Sequence, residues 1–160
     1  MGFDLDGKKP LSDAGKEFRN NSWWWRPLWG YCEQVAPDLT SKVVYGQSND
    51  GDGLNGKDSK DLAARLREEI SSGRCAKFAA EYEAERKAIP PERCQWCHGT
   101  GKRKDAVARA NVAQMEACHG CNGCGGKGVS ESFDAAYPFS EENVKEFADF
   151  LNDCGGFEIW

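Results

Sequence analysis

CQWCHGTG, residues 94–101, and CNGCGGKG, residues 121–128, share the pattern C-x-x-C-x-G-x-G. Two cysteines separated by two residues on a tight turn can direct both sulfurs at the same ion, and glycines allow the backbone dihedrals of such turns. Four thiolates match the tetrahedral preference of zinc, so the two segments predict one structural zinc ion. The predicted ligands are Cys94, Cys97, Cys121 and Cys124. Because the metal would join two distant turns, its binding energy would become folding energy.

The second segment contains an overlapping pair, because CHGCNGC places Cys118 three residues before Cys121. Only the pair Cys121 and Cys124 continues as x-G-x-G, and this favours it as the ligand pair. Cys118 and His119 remain the alternative ligands. The other three cysteines lie in apolar or helix-ending contexts and are expected to be buried free thiols. They are Cys32, Cys75 and Cys154.

Hydrophobic periodicity predicts an α+β fold that is mainly helical, a small single domain with a zinc-stapled cysteine-rich hairpin and short strands. One helix is expected over about 26–35, with Pro27 in its first turn. A second is expected to begin at a cap, Asp58 or Ser59, and to end at Gly73. A third is expected over 74–89. A short strand is expected at 41–46. A further helix is expected between the cysteine pairs. The last helix, 141–152, is expected to be capped by Ser140, and FEIW, residues 157–160, is expected to form a short strand or a docked tail.

These elements suggest three segments. Residues 1–91 form a helical core with the tryptophan cluster, and residues 92–128 form the zinc module with its intervening helix. Residues 129–160 form an acidic C-terminal helix and tail that pack on the core.

No apolar run reaches the roughly 20 residues that span a bilayer, and the N-terminus lacks the apolar segment of a signal peptide. We therefore expect no membrane association and a cytoplasmic location, where thiols stay reduced.

Charge is unevenly distributed in this chain of net charge −5. Residues 92–128 carry a net of +3, whereas residues 129–160 carry a net of −7. Such an acidic chain is a poor general binder of nucleic acid, because phosphate repulsion opposes contact outside the basic segment. It suits basic protein surfaces, including those that normally hold nucleic acid.

The stretch WWWRPLW, residues 23–29, holds four of the six tryptophans. Large aromatic side chains of this kind anchor the core of a small domain. Consecutive residues cannot all face one way, however, and tryptophan and arginine are favoured at binding hot spots. The candidate partner-binding residues here are Trp23, Trp24, Trp25 and Arg26. Core and interface roles both stay open at this point.

Catalytic constellations are absent from the sequence. The two histidines, His98 and His119, both lie inside the cysteine segments, and neither a G-x-S-x-G elbow nor an H-E-x-x-H motif occurs. A zinc site with four cysteine ligands has no open position for a substrate. The sequence therefore indicates a protein that is not an enzyme.

Both cysteine segments resemble the zinc module of DnaJ-type co-chaperones, in which four C-x-x-C-x-G-x-G motifs bind two zinc ions and help to handle client proteins. Two motifs imply one zinc ion. The resemblance covers residues 94–101 and 121–128 only, and the His-Pro-Asp signature of a J-domain does not occur. It therefore implies a zinc hairpin and does not imply co-chaperone function.

The whole chain resembles small, uncharacterised proteins encoded by bacteriophages and prophages. The resemblance rests on FRNNSWWWRPLW at 18–29, NDG at 49–51, the paired cysteines and PFSEENVKEFADFLNDCGGFEI at 138–159. The group carries no activity that transfers to this chain, but small acidic phage proteins without a catalytic constellation often act by binding host machinery. The resemblance therefore favours a non-enzymatic binding protein in a bacterial host cell. Its expected partner is a host protein or ribonucleoprotein complex, such as a CRISPR-Cas effector, which it would inhibit.

In this hypothesis an acidic surface occupies a basic nucleic-acid channel, and aromatic side chains supply affinity. The acidic candidates are Asp134, Glu141, Glu142, Glu146 and Asp149. One alternative is a nucleic-acid-binding zinc module that uses a basic patch. The patch consists of Arg93, Lys102, Arg103, Lys104, Arg109 and Lys127. A second alternative is a small-ligand-binding or metal-dependent protein that uses the tryptophan cluster.

Overall fold

The computed structural model describes residues 2–117 and 120–160, and about half of these are helical, which confirms the α+β class with short strands. The strands are β1 (Gly2–Gly7), β2 (Glu17–Asn21), β3 (Glu92–Arg93), β4 (Val129–Ser130) and β5 (Phe157–Ile159). The helices are α1 (Ser22–Val35), α2 (Pro37–Thr40), α3 (Gly56–Ser71), α4 (Arg74–Ala88), α5 (Ala106–Ala110), α6 (Val112–Ala117) and α7 (Glu141–Asp153). None of the helices in the described ranges combines the length with the apolar composition that a membrane span needs.

The chain divides into two compact units. The first, here called the core unit, comprises the described part of Met1–Glu85 together with Tyr137–Trp160. The second, here called the cysteine unit, comprises Arg86–Ala136. The cysteine unit thus extends beyond the predicted segment 92–128 at both ends, and the C-terminal helix α7 belongs to the core unit.

A three-stranded antiparallel sheet in the order β2-β1-β5 forms one side of the core unit. In β1, Phe3 and Leu5 are buried while Asp4 and Asp6 are exposed, so the strand alternates with period two. Opposite Leu5, the register places Phe18 of β2 and Ile159 of β5. The predicted strand in FEIW is therefore confirmed as β5, and it pairs with the N-terminal strand.

Residues 51–55 extend this sheet beyond β5, although their composition is that of a loop. The amide of Gly51 donates to the carbonyl of Ile159 (2.8 Å), and the amide of Phe157 donates to the carbonyl of Leu54 (3.0 Å). The free edge of β5 is thereby covered by antiparallel pairing. Such covering satisfies backbone groups that an open edge would leave unpaired.

Gly53 permits this pairing, because a Cβ atom built there would lie 1.9 Å from the carbonyl oxygen of Phe157. We expect Gly53→Ala to lower the free energy of unfolding by more than about 1 kcal/mol, since a backbone must shift to accept the methyl group. Gly30 in α1 is the matched control, because nothing lies within 4 Å of a Cβ built there. Gly30→Ala should stabilise the chain by up to about 1 kcal/mol through helix propensity. Urea unfolding of both variants measures the difference, and equal shifts of the same sign would contradict the described pairing.

Tryptophan side chains lie at the centre of the core unit. Trp25 and Trp29 are fully buried, and their rings stack with centroids 5.4 Å apart. The Trp25 ring also contacts Phe3 of β1 (5.5 Å) and Phe147 of α7 (5.5 Å). One side chain thus joins the sheet, α1 and α7.

The first helix begins four residues earlier than predicted, at Ser22. The side chain of Asn21 caps it by accepting hydrogen bonds from the amides of Trp23 (3.0 Å) and Trp24 (3.2 Å). The expectation that Pro27 lies in the first turn is therefore wrong, because Pro27 lies inside the helix. Having no N–H, it cannot donate to the carbonyl four residues earlier.

The prediction of a strand at 41–46 is also wrong, since these residues form turns that follow α2. The amide of Val43 donates to the carbonyl of Thr40 (2.9 Å), which continues the helical turn. The carbonyl of Gly46 accepts a hydrogen bond from the indole Nε1 of Trp25 (2.9 Å). A buried tryptophan therefore satisfies this backbone group instead of a neighbouring strand.

Most predicted helix boundaries lie within a few residues of those observed. The cap of α3 is Asn55, which accepts from the amides of Lys57 and Asp58, so the prediction of Asp58 or Ser59 as the cap is wrong. The cap of α7 is Ser140, as predicted. Between the cysteine pairs, two short helices, α5 and α6, take the place of one.

Candidate metal centre

Four cysteine thiols meet in the cysteine unit, and they are the four that the repeated motif predicts. Their sulfur atoms all lie within 4.8 Å of one another, and all four residues are buried. The sulfurs of Cys94 and Cys121 are 3.9 Å apart, and those of Cys97 and Cys124 are 3.7 Å apart. Four sulfurs each about 2.3 Å from one ion in a tetrahedron are about 3.8 Å from one another. The cluster therefore fits a single structural metal site.

The two cysteine segments face each other as near copies. A Cβ atom on Gly101 would lie 2.4 Å from the carbonyl oxygen of Gly126, and one on Gly128 would lie 2.5 Å from that of Gly99. All four of these glycines have positive φ. The glycines that follow each C-x-x-C pair thus let the two turns pack backbone against backbone, which explains the shared x-G-x-G extension.

Backbone amides in these turns also favour thiolates. The amide of Gly128 donates to the sulfur of Cys124 (3.2 Å). Burial opposes ionisation of Cys97, but amide hydrogen bonds from Gly101 and Gly99 and the neighbouring thiols lower its pKa to about 7. Burial raises the pKa of Cys124 to about 11. Since metal ligation requires thiolates, the amide hydrogen bonds to these sulfurs favour metal binding.

The cysteine unit has almost no apolar core apart from this cluster. Its described hydrophobic residues that are buried are Cys94, Cys97, Ala108, Cys121, Cys124 and Ala135. Larger apolar side chains, including Trp96, Val129 and Phe133, are exposed. Area burial therefore contributes little to the folding of this unit, and a metal held by the four thiols would contribute far more.

A second set of contacts closes the two segments on each other. The guanidinium of Arg103 lies 4.8 Å from the ring centre of Trp96. The same group donates to Asp105 (2.7 Å) and to Asn122 of the second segment (3.1 Å). The Arg103 side chain is only 9% exposed. Arg103 therefore holds the unit together. The basic-patch alternative assumed that it was a free surface cation, and this assumption is incorrect.

The alternative ligands Cys118 and His119 lie outside the described residues, as does the side chain of Arg109. The remaining cysteines are buried and free in the core unit, as predicted. Burial raises the pKa of Cys75 to about 11, and it raises the pKa values of Cys32 and Cys154 as well. These thiols are therefore protonated near neutral pH and are poor nucleophiles.

The structure distributes the tryptophan cluster between core and surface. Trp25 is fully buried, Trp24 is half-buried, and Trp23 is 38% exposed with its ring packed on Tyr137 (5.0 Å). Arg26 is exposed. Periodicity of α1 explains the division, because successive residues of a helix point in different directions.

The acidic candidates lie in different units. Asp134 is exposed in the cysteine unit, whereas the other four lie on α7 of the core unit. On α7, Lys145 pairs with Glu141 (2.9 Å) and Glu142 (3.8 Å), and Arg67 pairs with Asp149 (2.8 Å). Internal ion pairs thus partly neutralise this surface.

The fold and site together define a small α+β protein with a closed four-cysteine centre. Comparison with protein-family models, with curated proteins and with solved structures found no match to this chain.

Proposed function

We propose that this chain is a non-enzymatic binding protein whose cysteine unit is held together by one structural zinc ion. The observation that carries the proposal is the cluster of four buried thiols. Four sulfurs fill a tetrahedral coordination shell, so no position remains for a substrate or a reactive water. Tetrahedral sulfur ligation is typical of zinc and of iron–sulfur centres, and zinc fits a single-ion site without redox chemistry.

The bound ion would act by fixing the conformation of the cysteine unit. It fixes two turns that are 27 residues apart in the chain, and these turns carry the exposed Trp96 and Lys127. The surface of the cysteine unit would therefore depend on metal binding. In this account zinc orders a binding surface and takes no part in chemistry.

We further propose a phage-encoded inhibitor whose partner is a protein or ribonucleoprotein complex of the bacterial host, such as a CRISPR-Cas effector. The distribution of charge supports such a partner. The core unit has 21 acidic and 13 basic residues, a net of −8, whereas the cysteine unit has a net of +3. An acidic unit of this kind suits a basic surface that normally holds nucleic acid, because complementary charge speeds the encounter.

The exposed candidates for contact in the core unit are Trp23, Arg26, Glu142, Glu146 and Asp149. Trp23 offers a partly exposed aromatic ring that packs on Tyr137, and aromatic anchors supply most of the affinity at many interfaces. Trp25 has no exposed surface and would support the interface only by holding α1 in place. Glu141, Glu142 and Asp149 of α7 form ion pairs, whereas Glu146 forms none among the described parts of the chain.

Affinity purification of the tagged full chain from its bacterial host tests the proposal. We expect one stoichiometric protein or ribonucleoprotein complex in the eluate. The double variant Glu142→Lys and Glu146→Lys should recover at least tenfold less of this complex, because two repulsive charges replace two attractive ones. Lys57→Glu and Lys60→Glu, exposed positions at the start of α3, are the control for altered surface charge. Recovery of the same complex by the α7 variant, or of no macromolecule by well-folded wild type, would contradict the proposal.

A further inference from the structure

Two adjacent clefts of the cysteine unit share one wall, formed by residues 130–132. The first cleft has a volume of about 400 Å³ and is also lined by Arg86, Lys87 and Lys127. The second has a volume of about 490 Å³ and is also lined by Arg93 and Phe133. Because residues 130–132 line both clefts, the two clefts lie side by side and form one surface of the unit.

The cations of this surface differ in how they are held. Among residues 2–117 and 120–160, neither Lys87 nor Lys127 has a carboxylate within ion-pair distance. Arg86 donates to the carbonyl of Ala135 (2.6 Å) and lies 3.9 Å from Glu131, so its position is fixed. Arg93 donates to a backbone carbonyl, that of His98 (2.7 Å). Unpaired lysines beside a fixed arginine leave positive charge available to a ligand.

Two carboxylates also line the clefts, Glu92 and Glu131. Glu92 accepts a hydrogen bond from the buried hydroxyl of Ser132 (2.5 Å), and Glu131 lies beside Arg86. Four cations against these two acids leave the concave surface with a net positive charge. This local excess is notable in a chain with 26 acidic and 21 basic residues.

Apolar side chains complete the surface. Phe133, in the second cleft, is 62% exposed, and Val129, in the first, is 42% exposed. Exposed aromatic rings next to cations are the features that proteins use to hold single-stranded nucleic acid, with phosphates on the cations and bases stacked on the rings.

We propose that the double cleft binds a single strand of nucleic acid. Its phosphates contact Lys87 and Lys127, and one base stacks on Phe133. The site differs from the basic segment 102–104, where Arg103 is committed to Asp105 and Asn122. It does not depend on the partner proposed for the acidic core unit.

Fluorescence anisotropy of a labelled oligothymidine of about 15 nucleotides, a length within the range of known single-strand sites, tests the proposal with the metal-loaded full chain. We expect saturable binding at low salt. The double variant Lys87→Ala and Lys127→Ala should weaken it at least tenfold and should reduce the log–log salt slope by about 1.4, since each single-strand phosphate contact contributes about 0.7. Phe133→Ala should weaken binding roughly tenfold with the slope unchanged.

The matched control is Lys60→Ala with Lys77→Ala, which removes the same charge from the core unit. Metal content and thermal unfolding of each variant confirm that it is folded. Absence of saturable binding, or equal losses in the cleft and control variants, would overturn the proposal. Competition by thymidine monophosphate at the same concentration as the strand would overturn it too, because the site would then recognise a free nucleotide.

Discussion

Cys97→Ser is expected to remove the bound metal and to unfold the cysteine unit while the core unit remains folded. The reason is that the four thiols are the main buried cluster of the cysteine unit, and Cys97 supplies one of four ligands. Structural zinc contributes about 10–16 kcal/mol in small zinc-binding peptides at neutral pH, far more than the few small buried side chains of this unit provide. The core unit has its own hydrophobic cluster, which contains Trp25, Leu62 and Phe147.

Metal analysis and limited proteolysis of the purified chain measure this result. Cleavage should become rapid within 86–136 and stay slow within the core unit. Cys118→Ser and His119→Ala are the controls, since the assignment gives neither residue a ligand role. Retention of one metal ion and full protease resistance in Cys97→Ser would contradict the assignment, as would loss of metal in either control.

Trp25→Ala should lower the free energy of unfolding of the core unit by about 3–5 kcal/mol. This is the usual cost of truncating a large buried aromatic side chain, because its burial is lost and a cavity remains. Trp25 also donates a hydrogen bond to the carbonyl of Gly46, and losing this bond adds about 1 kcal/mol to the destabilisation. Most small domains are stable by only about 5–15 kcal/mol, so the variant should be close to its unfolding threshold.

Trp23→Ala is the matched control, because it removes the same side chain two residues earlier in α1 at a site that is 38% exposed. We expect a cost of about 1 kcal/mol there, since only part of the ring is buried. Urea unfolding followed by circular dichroism compares the two variants. Similar losses at the two positions would mean that the division of the tryptophan cluster into core and surface residues is incorrect.

The candidate site was predictable from the sequence because its chemistry is local. Each C-x-x-C-x-G-x-G segment specifies its own turn, and four thiols leave few alternatives for the ion. The contacts of Arg103 with Trp96 and Asn122 were not predictable, because they depend on how the two segments pack and Asn122 lies 19 residues away. The double cleft was missed for the same reason, since Lys87 and Lys127 meet only in the folded unit.

The fold was predictable where periodicity is strong. Val144, Phe147 and Leu151 mark the buried face of α7, and Ser140 marks its start. In β1, Phe3 and Leu5 alternate with aspartates, and this period-two pattern could have predicted a strand. The polar composition of the N-terminal segment made the pattern easy to miss. The position of Gly53 against β5 could not be inferred, because composition alone indicates a loop and pairing depends on a strand more than 100 residues later.

X-ray absorption spectroscopy at the zinc and iron edges, on the purified full chain, tests the central claim most directly. The account predicts one zinc ion per chain with four sulfur ligands at about 2.3 Å and no nitrogen or oxygen ligand. A nitrogen ligand at about 2.0 Å would assign His119 or His98 to the site and contradict the four-cysteine centre. Iron in place of zinc, or fewer than four sulfurs, would contradict the closed structural zinc site on which the proposed function rests.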